Sequence, residues 1–297
     1  MVLDNFLQNL ANGISLGSLY ALIAIGYTLV YGILRLINFA HGDIFMISAY
    51  VAIFGFTVFN LPWYISFLLA IVITSLIGVG IEKAAYRPLR TAPRISVLIS
   101  AIGISFLLQN LGMVIFSGRP RTFPTPDIFG KMLTFGNVKI MSLTFIIPIV
   151  TAICLIILNF LISKTKMGMA MRAVSKDFET SRLMGIDVDK VVSFTFIIGS
   201  ALAAVGGIMW GMKYPRIDPL LGVMPGLKCF IAAVVGGIGS VTGATIGGFI
   251  LGLGEILLVA FLPALSGYRD AFAFILLIVI LLFKPTGIIG EKTTEKV

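Results

Sequence analysis

KTKMGMAMRAVSKDFETSRLMGIDVDK, residues 164–190, is the one long polar stretch in a chain that is otherwise largely apolar. Its charges run from Lys164 and Lys166 through Arg172, Lys176, Asp177, Glu179 and Arg182 to Asp187, Asp189 and Lys190. Between them Met167, Ala170, Met171, Val174 and Phe178 recur every three or four residues, which on an α-helix gathers them into one apolar stripe against a charged remainder. Gly185 follows where a left-handed helix terminus is wanted. A short amphipathic helix is therefore expected, its apolar side offered either to a protein partner or, lying flat, to a membrane surface.

Working outward, 58% of the 297 residues are hydrophobic and 12% charged. Mean hydropathy is +1.06. Such a chain is too apolar for a soluble globule and too poor in charge to be disordered. A bilayer core takes about 20 apolar residues per helical span, and the alternating polarity of a transmembrane barrel is not found. The fold class expected is all-α, a polytopic helical membrane protein. The net charge of +9 sits in short connecting loops, as membrane topology requires, so nucleic-acid binding does not follow from it. Cys154 and Cys229 both lie in apolar runs and read as buried free thiols.

Spans are expected at about 14–34, 44–59, 63–81, 95–116, 142–162, 191–212 and 270–283, with 227–262 crossing twice, once as a short segment. That makes eight or nine crossings with broken helices. No composition shift divides residues 1–297, which read as one membrane domain, with 163–190 a loop inside it. No Lys or Arg precedes Arg35, so the N-terminus lacks the basic region of a cleaved signal peptide and is read as retained and outside. Lys83, Arg87, Arg90 and Arg94 place the loop after the third span in the cytoplasm; Lys284, Lys292 and Lys296 do the same for the C-terminus.

Two interruptions stand out. Arg35, Asn38, His41 and Asp43 crowd the join before the second span, with Gly42 among them at the break, and make it too polar to face lipid. GGIGSVTGATIGG at 236–248 carries Gly236, Gly237, Gly239 and Gly243, too many glycines for an unbroken helix. Irregular backbone at membrane depth is tolerated where it is buried in protein or lines a cavity. The two breaks also echo each other weakly, as paired interruptions do in internally repeated transporters. Glu255, a lone carboxylate inside an apolar helix, should face the bundle or a partner with a cation such as Lys228, in a structural pair or on a translocation path. One histidine makes no metal site, and His41 reads either as a cap of the irregular join or as a proton relay.

LINFAHGD at 36–43, GMAMRAVSKDFETSRLMGID at 168–187 and the glycine-rich break together resemble the permease subunits of bacterial branched-chain amino-acid ABC importers, over nearly the whole chain from Gly13 to Gly290. The resemblance implies an inner-membrane subunit that works with a second related permease, two cytoplasmic ATPase subunits and an extracytoplasmic substrate-binding protein. It implies no cofactor. It makes the polar loop a coupling helix, with Arg172, Ala173, Asp177, Gly185 and Ile186 on the pattern, Ser181 where alanine is common, and Gly168 expected among the coupling residues. Met167, Met171 and Phe178 are expected as its apolar contacts to the ATPase, and Arg172, Asp177 and Arg182 as charged ones. No GxxxxGK[ST] phosphate loop occurs, so ATP hydrolysis belongs to other subunits. Branched-chain or other hydrophobic amino acids are the expected cargo. Urea or short-chain amides remain as an alternative within the family, and an ion-coupled secondary transporter as one outside it.

Overall fold

The computed structural model describes residues 2–90, 92–135 and 138–290. Lys292 and Lys296 therefore lie outside the described residues. The helices are α1 (Val2–Leu34), α2 (His41–Thr57), α3 (Trp63–Ile81), α4 (Arg94–Phe116), the one-turn α5 (Asp127–Gly130), α6 (Leu143–Lys164), α7 (Lys166–Lys176), α8 (Phe178–Leu183), α9 (Val188–Lys213), α10 (Val223–Gly236), α11 (Val241–Phe261) and α12 (Arg269–Phe283). A π-helical turn at Glu82–Tyr86 prolongs α3, and a 3-10 segment at Pro263–Tyr268 leads into α12. Short strands β1 (Arg121–Thr122), β2 (Met132–Phe135), β3 (Val138–Met141) and β4 (Arg216–Ile217) form two antiparallel pairs, β1 with β4 and β2 with β3.

Among the described residues seven helical stretches are long and apolar enough to cross a membrane, and α2 and α10 are shorter apolar ones. The chain is a polytopic helical membrane protein, in keeping with the eight or nine crossings expected. At 1.5 Å per residue the 14 residues of α10 reach only about 21 Å, short of the roughly 30 Å hydrocarbon layer. α2 is short for a related reason. Its first residue, His41, packs its ring against Gly26, about 12 Å back along α1 from the end of that helix at Leu34. The chain thus turns at Arg35, which takes a left-handed φ of 55°, and climbs back into the bundle before α2 begins.

The packing repeats itself. α1 packs on α11 and α9 on α3; α1 on α10 and α9 on α2; α2 on α3 and α10 on α11; α2 on α4 and α10 on α12. Every pair becomes its counterpart when α1–α4 are exchanged with α9–α12. At the centre Gly26 and Gly199 face each other, a Cβ on either lying 3.1 to 3.3 Å from the other's carbonyl oxygen. The two halves run in opposite directions, because α1 leaves the bundle at the end where α9 enters it. This is inverted-repeat architecture. The sequence echo pairs 37–50 with 236–248. The structure instead pairs the start of α2 with the start of α10, at Gly222, because those two backbones are in contact.

Small residues make the close approaches. A Cβ on Gly252 of α11 would strike the backbone of Gly17 on α1, and one on Gly248 would strike Ala21. Gly252→Ala is expected to cost about 1–3 kcal/mol by overpacking, read as a lower midpoint for retention of a monodisperse chromatographic peak after heating. Gly103→Ala, where a Cβ meets open space, should show no loss. Equal behaviour of the two would contradict this packing.

Candidate functional site

The polar loop is two helices rather than one. The Thr165 hydroxyl caps α7 by accepting from the Gly168 N–H at 3.0 Å. A Cβ on Gly168 would run into the carbonyls of Leu161 and Ile162, so only glycine lets α7 fold back onto the end of α6. Arg172 then donates to the Ile162 carbonyl. α7 stops at Lys176 because Asp177 competes for the backbone. Its carboxylate accepts from the N–H groups of Glu179 (2.8 Å) and Thr180 (3.1 Å) and so opens α8. Ser181, where the resembling pattern has alanine, is buried and donates to the Asp177 carbonyl at 2.6 Å.

α8 ends in a Schellman turn. The Gly185 N–H donates to Arg182 and the Ile186 N–H to Ser181, both at 3.0 Å, with Gly185 at φ +81°. Asp187 then caps α9 through the Lys190 N–H. The hydrogen bond from the Lys190 side chain, ahead of that backbone contact, holds the Asp187 carboxyl below the usual carboxylate range.

The stripe expected to be free is occupied. Met171 and Val174 are 4% and 1% exposed, and Met167 and Phe178 pack against the same core. The bundle itself covers these side chains, α7 lying on α6, α1 and α9. What the loop leaves accessible is Met169, Leu183 and Met184, at 63%, 87% and 78% exposure, among the exposed Arg172, Asp177, Arg182 and Gly185. Behind α7 lies a cavity of about 140 Å³ bounded by Thr28, Gly32, Met171, Arg172, Ser175 and Gly239.

The glycine-rich break is the α10–α11 turn. Gly237 and Gly239 take φ of 115° and 98°, Gly236 and Gly243 touch backbone to backbone, and the Ser240 hydroxyl caps α11 through the Gly243 N–H. The chain exit closes over this turn, the N–H groups of Ile288 and Ile289 donating to the carbonyls of Val235 and Gly236 at 2.9 Å. Of these glycines the structure places Gly239 next to α7, lining the cavity behind it.

The polar join before α2 is elsewhere. The Tyr86 hydroxyl donates to the Asn38 side-chain oxygen at 3.1 Å, and the His41 ring lies 4.5 Å from that of Tyr27. Asp43 accepts from the Ser105 hydroxyl at 2.5 Å and from the Gln109 amide at 3.1 Å. Gly42 meets Gly222 and Gly226, so the first turns of α2 and α10 converge. They do so on a second cavity of about 140 Å³, which Asp43, Ser105 and Gln109 also line.

Two buried carboxylates complete the polar interior. Glu255 pairs with Lys228 at 2.8 Å, an ion contact whose angles fall outside hydrogen-bond geometry, and accepts from the Tyr20 hydroxyl at 3.1 Å. Arg269 lies at 3.6 Å, and Lys228 also reaches Asp270 at 2.7 Å. Glu82 accepts from Ser193 at 2.8 Å and pairs with Arg90, which also pairs with Asp189. Glu82 and Glu255, Ser193 and Tyr20, and Gly26 and Gly199 each differ by 173 in position, so the two acid sites occupy equivalent places in the repeat.

The sequence profile of the branched-chain amino acid transport system / permease component family matches residues 9–281. The chain belongs to that family. It is 43% identical to the high-affinity branched-chain amino acid transport system permease protein BraD of Pseudomonas aeruginosa, covering 99% of this chain and 98% of the relative. It is 44% identical to the LivH protein of Escherichia coli K12, which carries the same description, over 98% of each chain. Among solved structures, PsaBC from Streptococcus pneumoniae in complex with Fab contains a chain that superposes with a TM-score of 0.50 at 13% identity, covering 95% of this chain and 92% of that one. That likeness concerns the fold alone.

Within this family frame, sequence reasoning missed Ser105 and Gln109 as partners of Asp43, although both were visible as polar residues four apart on one helix face. It missed Gly222 and Gly226 because the segment expected after the turn at 214–219 begins only at about 227, whereas the helix starts at Val223. Glu82 was read as a loop residue, and the matching interval to Glu255 was the signal that would have found it.

Proposed function

We propose that the chain is the membrane-spanning permease subunit of an ABC importer for branched-chain amino acids. The observation that carries this reading is near-full-length identity above 40% to two proteins described as branched-chain amino acid permeases. Separate ATPase subunits dock on the exposed ridge of α7 and α8, with Met169, Arg172, Asp177, Arg182, Leu183 and Met184 at the contact. An extracytoplasmic binding protein delivers cargo to the opposite end, and a second related permease completes the pore. α7 is fastened to α6, α1 and α9, so a push on the ridge is passed directly to three spanning helices. The Glu255 carboxylate is paired with Lys228, so it is not free to couple an ion.

Charge supports the orientation. The α7 end bears Arg35, Lys83, Arg87, Arg90, Lys164, Lys166, Arg172, Lys176, Arg182, Lys190 and Lys284, and the opposite end Arg119, Arg121, Lys131, Lys213, Arg216 and Arg269. The positive-inside rule then puts α7, α8 and the chain exit in the cytoplasm and the start of α1 outside. Met184→Cys, in a chain with Cys154 and Cys229 changed to alanine, should resist an impermeant maleimide in intact cells and label after permeabilisation. Labelling in intact cells would reverse the orientation. For the function, vesicles holding the chain with its ATPase, second permease and binding-protein partners should take up labelled leucine, isoleucine or valine on ATP addition. ATP-driven uptake of urea without amino acids would overturn the substrate reading.

A further inference from the structure

Beyond β4 the chain turns inward and forms no helix until α10 begins at Val223. Asp218 holds this turn, its carboxylate accepting from the Leu220 N–H and its carbonyl from the Leu221 N–H, both at 3.0 Å. Two measures put the end of the turn at membrane depth. α10 runs 14 residues from there to Gly236, about 21 Å. Gly222 also meets Gly42, whose neighbour His41 packs on Gly26, about 12 Å from the end of α1 at Leu34. Gly32 and Gly239 are neighbours, so both lengths are counted from the same end of the bundle. In a hydrocarbon layer of roughly 30 Å both values fall well inside.

At this depth Leu220, Val223 and Met224 are exposed, whereas His41, Gly42 and Asp43, at the equivalent start of α2, are buried. Irregular backbone inside the hydrocarbon layer is stable only where protein buries it or where it lines a water-filled cavity. This face therefore does not look onto acyl chains. The helix beside it agrees. A Cβ on Gly112 of α4 would lie 3.6 Å from the Pro219 side chain, and the adjacent Asn110 and Met113 are exposed. Asn110 stands about 9 Å short of the end of α4, and an amide at that depth belongs against protein or water. Val223 is both exposed and a wall of the cavity lined by Asp43, Ser105 and Gln109. The exposed face is thus continuous with a polar hollow, which sets it apart from a dry protein contact.

We infer that Leu220, Val223 and Met224, with Asn110 and Met113 beside them, line the water-filled translocation path at membrane depth. The inference rests on the permease reading above and gives its path a wall. Neither polar break of the sequence supplies that wall, since the residues at the start of α2 are buried and the glycine turn lies at the far end of α10. Apart from Asn110 the wall is apolar. It suits a cargo whose aliphatic side chain passes along it while the charged head group stays in water.

The test uses the full chain with Cys154→Ala and Cys229→Ala, assembled with its ATPase and second permease partners in lipid nanodiscs, where both faces are open to reagent. The rate of modification by a trimethylammonium methanethiosulfonate is compared for Met224→Cys and for Ile156→Cys in the middle of α6. Ile156 is 69% exposed and Met224 only 37%, so exposure alone would favour Ile156. The reagent attacks the thiolate, which forms in water and not among acyl chains, so Met224→Cys should react at least about tenfold faster. In vesicles that also hold the binding protein, modification of the Met224→Cys chain should bring ATP-driven leucine uptake to background, and the same treatment of the Ile156→Cys chain should leave it intact. Leu220→Cys replaces Met224→Cys if that variant does not assemble. Equal rates at the two positions, or no reaction at Met224→Cys and Leu220→Cys, overturn the inference, as does full uptake after complete modification. If the chain without cysteines takes up no leucine, isoleucine or valine before reagent is added, the cargo reading fails, and the ratio of rates decides the inference by itself.

Discussion

Gly185→Pro should abolish coupled uptake and binding of the ATPase subunits while leaving the chain inserted in the membrane at normal level. Gly185 sits at φ +81° in a solvent-exposed Schellman turn where nothing lies within 4 Å of a Cβ. Proline fixes φ near −65° and removes the N–H that Gly185 donates to Arg182. The end of α8 must then unwind, and with it the path from Leu183 and Met184 to the Asp187 cap of α9. No core contact is lost, which is why insertion survives. Gly185→Asn is the discriminating control, because asparagine tolerates the left-handed region and should keep most of the uptake. Pull-down of the ATPase with each variant, alongside ATP-driven uptake, measures the effect. If Gly185→Pro still transports, or if proline and asparagine fail alike, α8 is not the coupling surface.

The second large effect is on stability. Lys228→Met removes the cation 2.8 Å from Glu255, a carboxylate with no solvent exposure, and leaves it with the Tyr20 hydroxyl and Arg269 at 3.6 Å. Breaking one side of a buried pair costs about 3–5 kcal/mol, whereas replacing both partners with apolar groups of similar volume is often neutral. Lys228→Met should therefore lower thermal retention of the purified chain sharply, and the double variant Lys228→Met with Glu255→Leu should recover most of it. The contact of Lys228 with Asp270 contributes little, since Asp270 is more than half exposed. A double variant no more stable than the single one would mean that the pair does not hold α10 and α11 together.

Both predictions concern residues that sequence reasoning had singled out, but for reasons the structure alters. Glu255 was conspicuous as a charge in an apolar helix, and Lys228 was named as a possible mate. The Tyr20, Arg269 and Asp270 contacts were not, because only tertiary packing brings the faces of α1 and α12 that carry them against α10 and α11. Gly185 was read correctly as a helix terminus, yet of a second helix that begins at Asp177. The apolar periodicity of 167–178 spans that break without showing it, because the competition of an aspartate side chain for backbone N–H groups leaves no trace in hydrophobic spacing.

Composition and the length of apolar runs by themselves determined that this is a polytopic helical membrane protein, where its long spans lie, and that its polar loop is helical, because in lipid a run of apolar residues has few other ways to satisfy its backbone. Motif order carried the family resemblance. Only tertiary structure decided that the apolar stripe of α7 is covered by the bundle and that the surface offered is Met169, Leu183 and Met184. It alone decided that the break facing Asp43 is the start of α10 rather than the glycine turn after it. Periodicity reports which face of a helix is apolar but not what lies against it. That is fixed by which backbones approach closely, here Gly42 on Gly222 and Gly26 on Gly199, contacts between residues more than 170 positions apart.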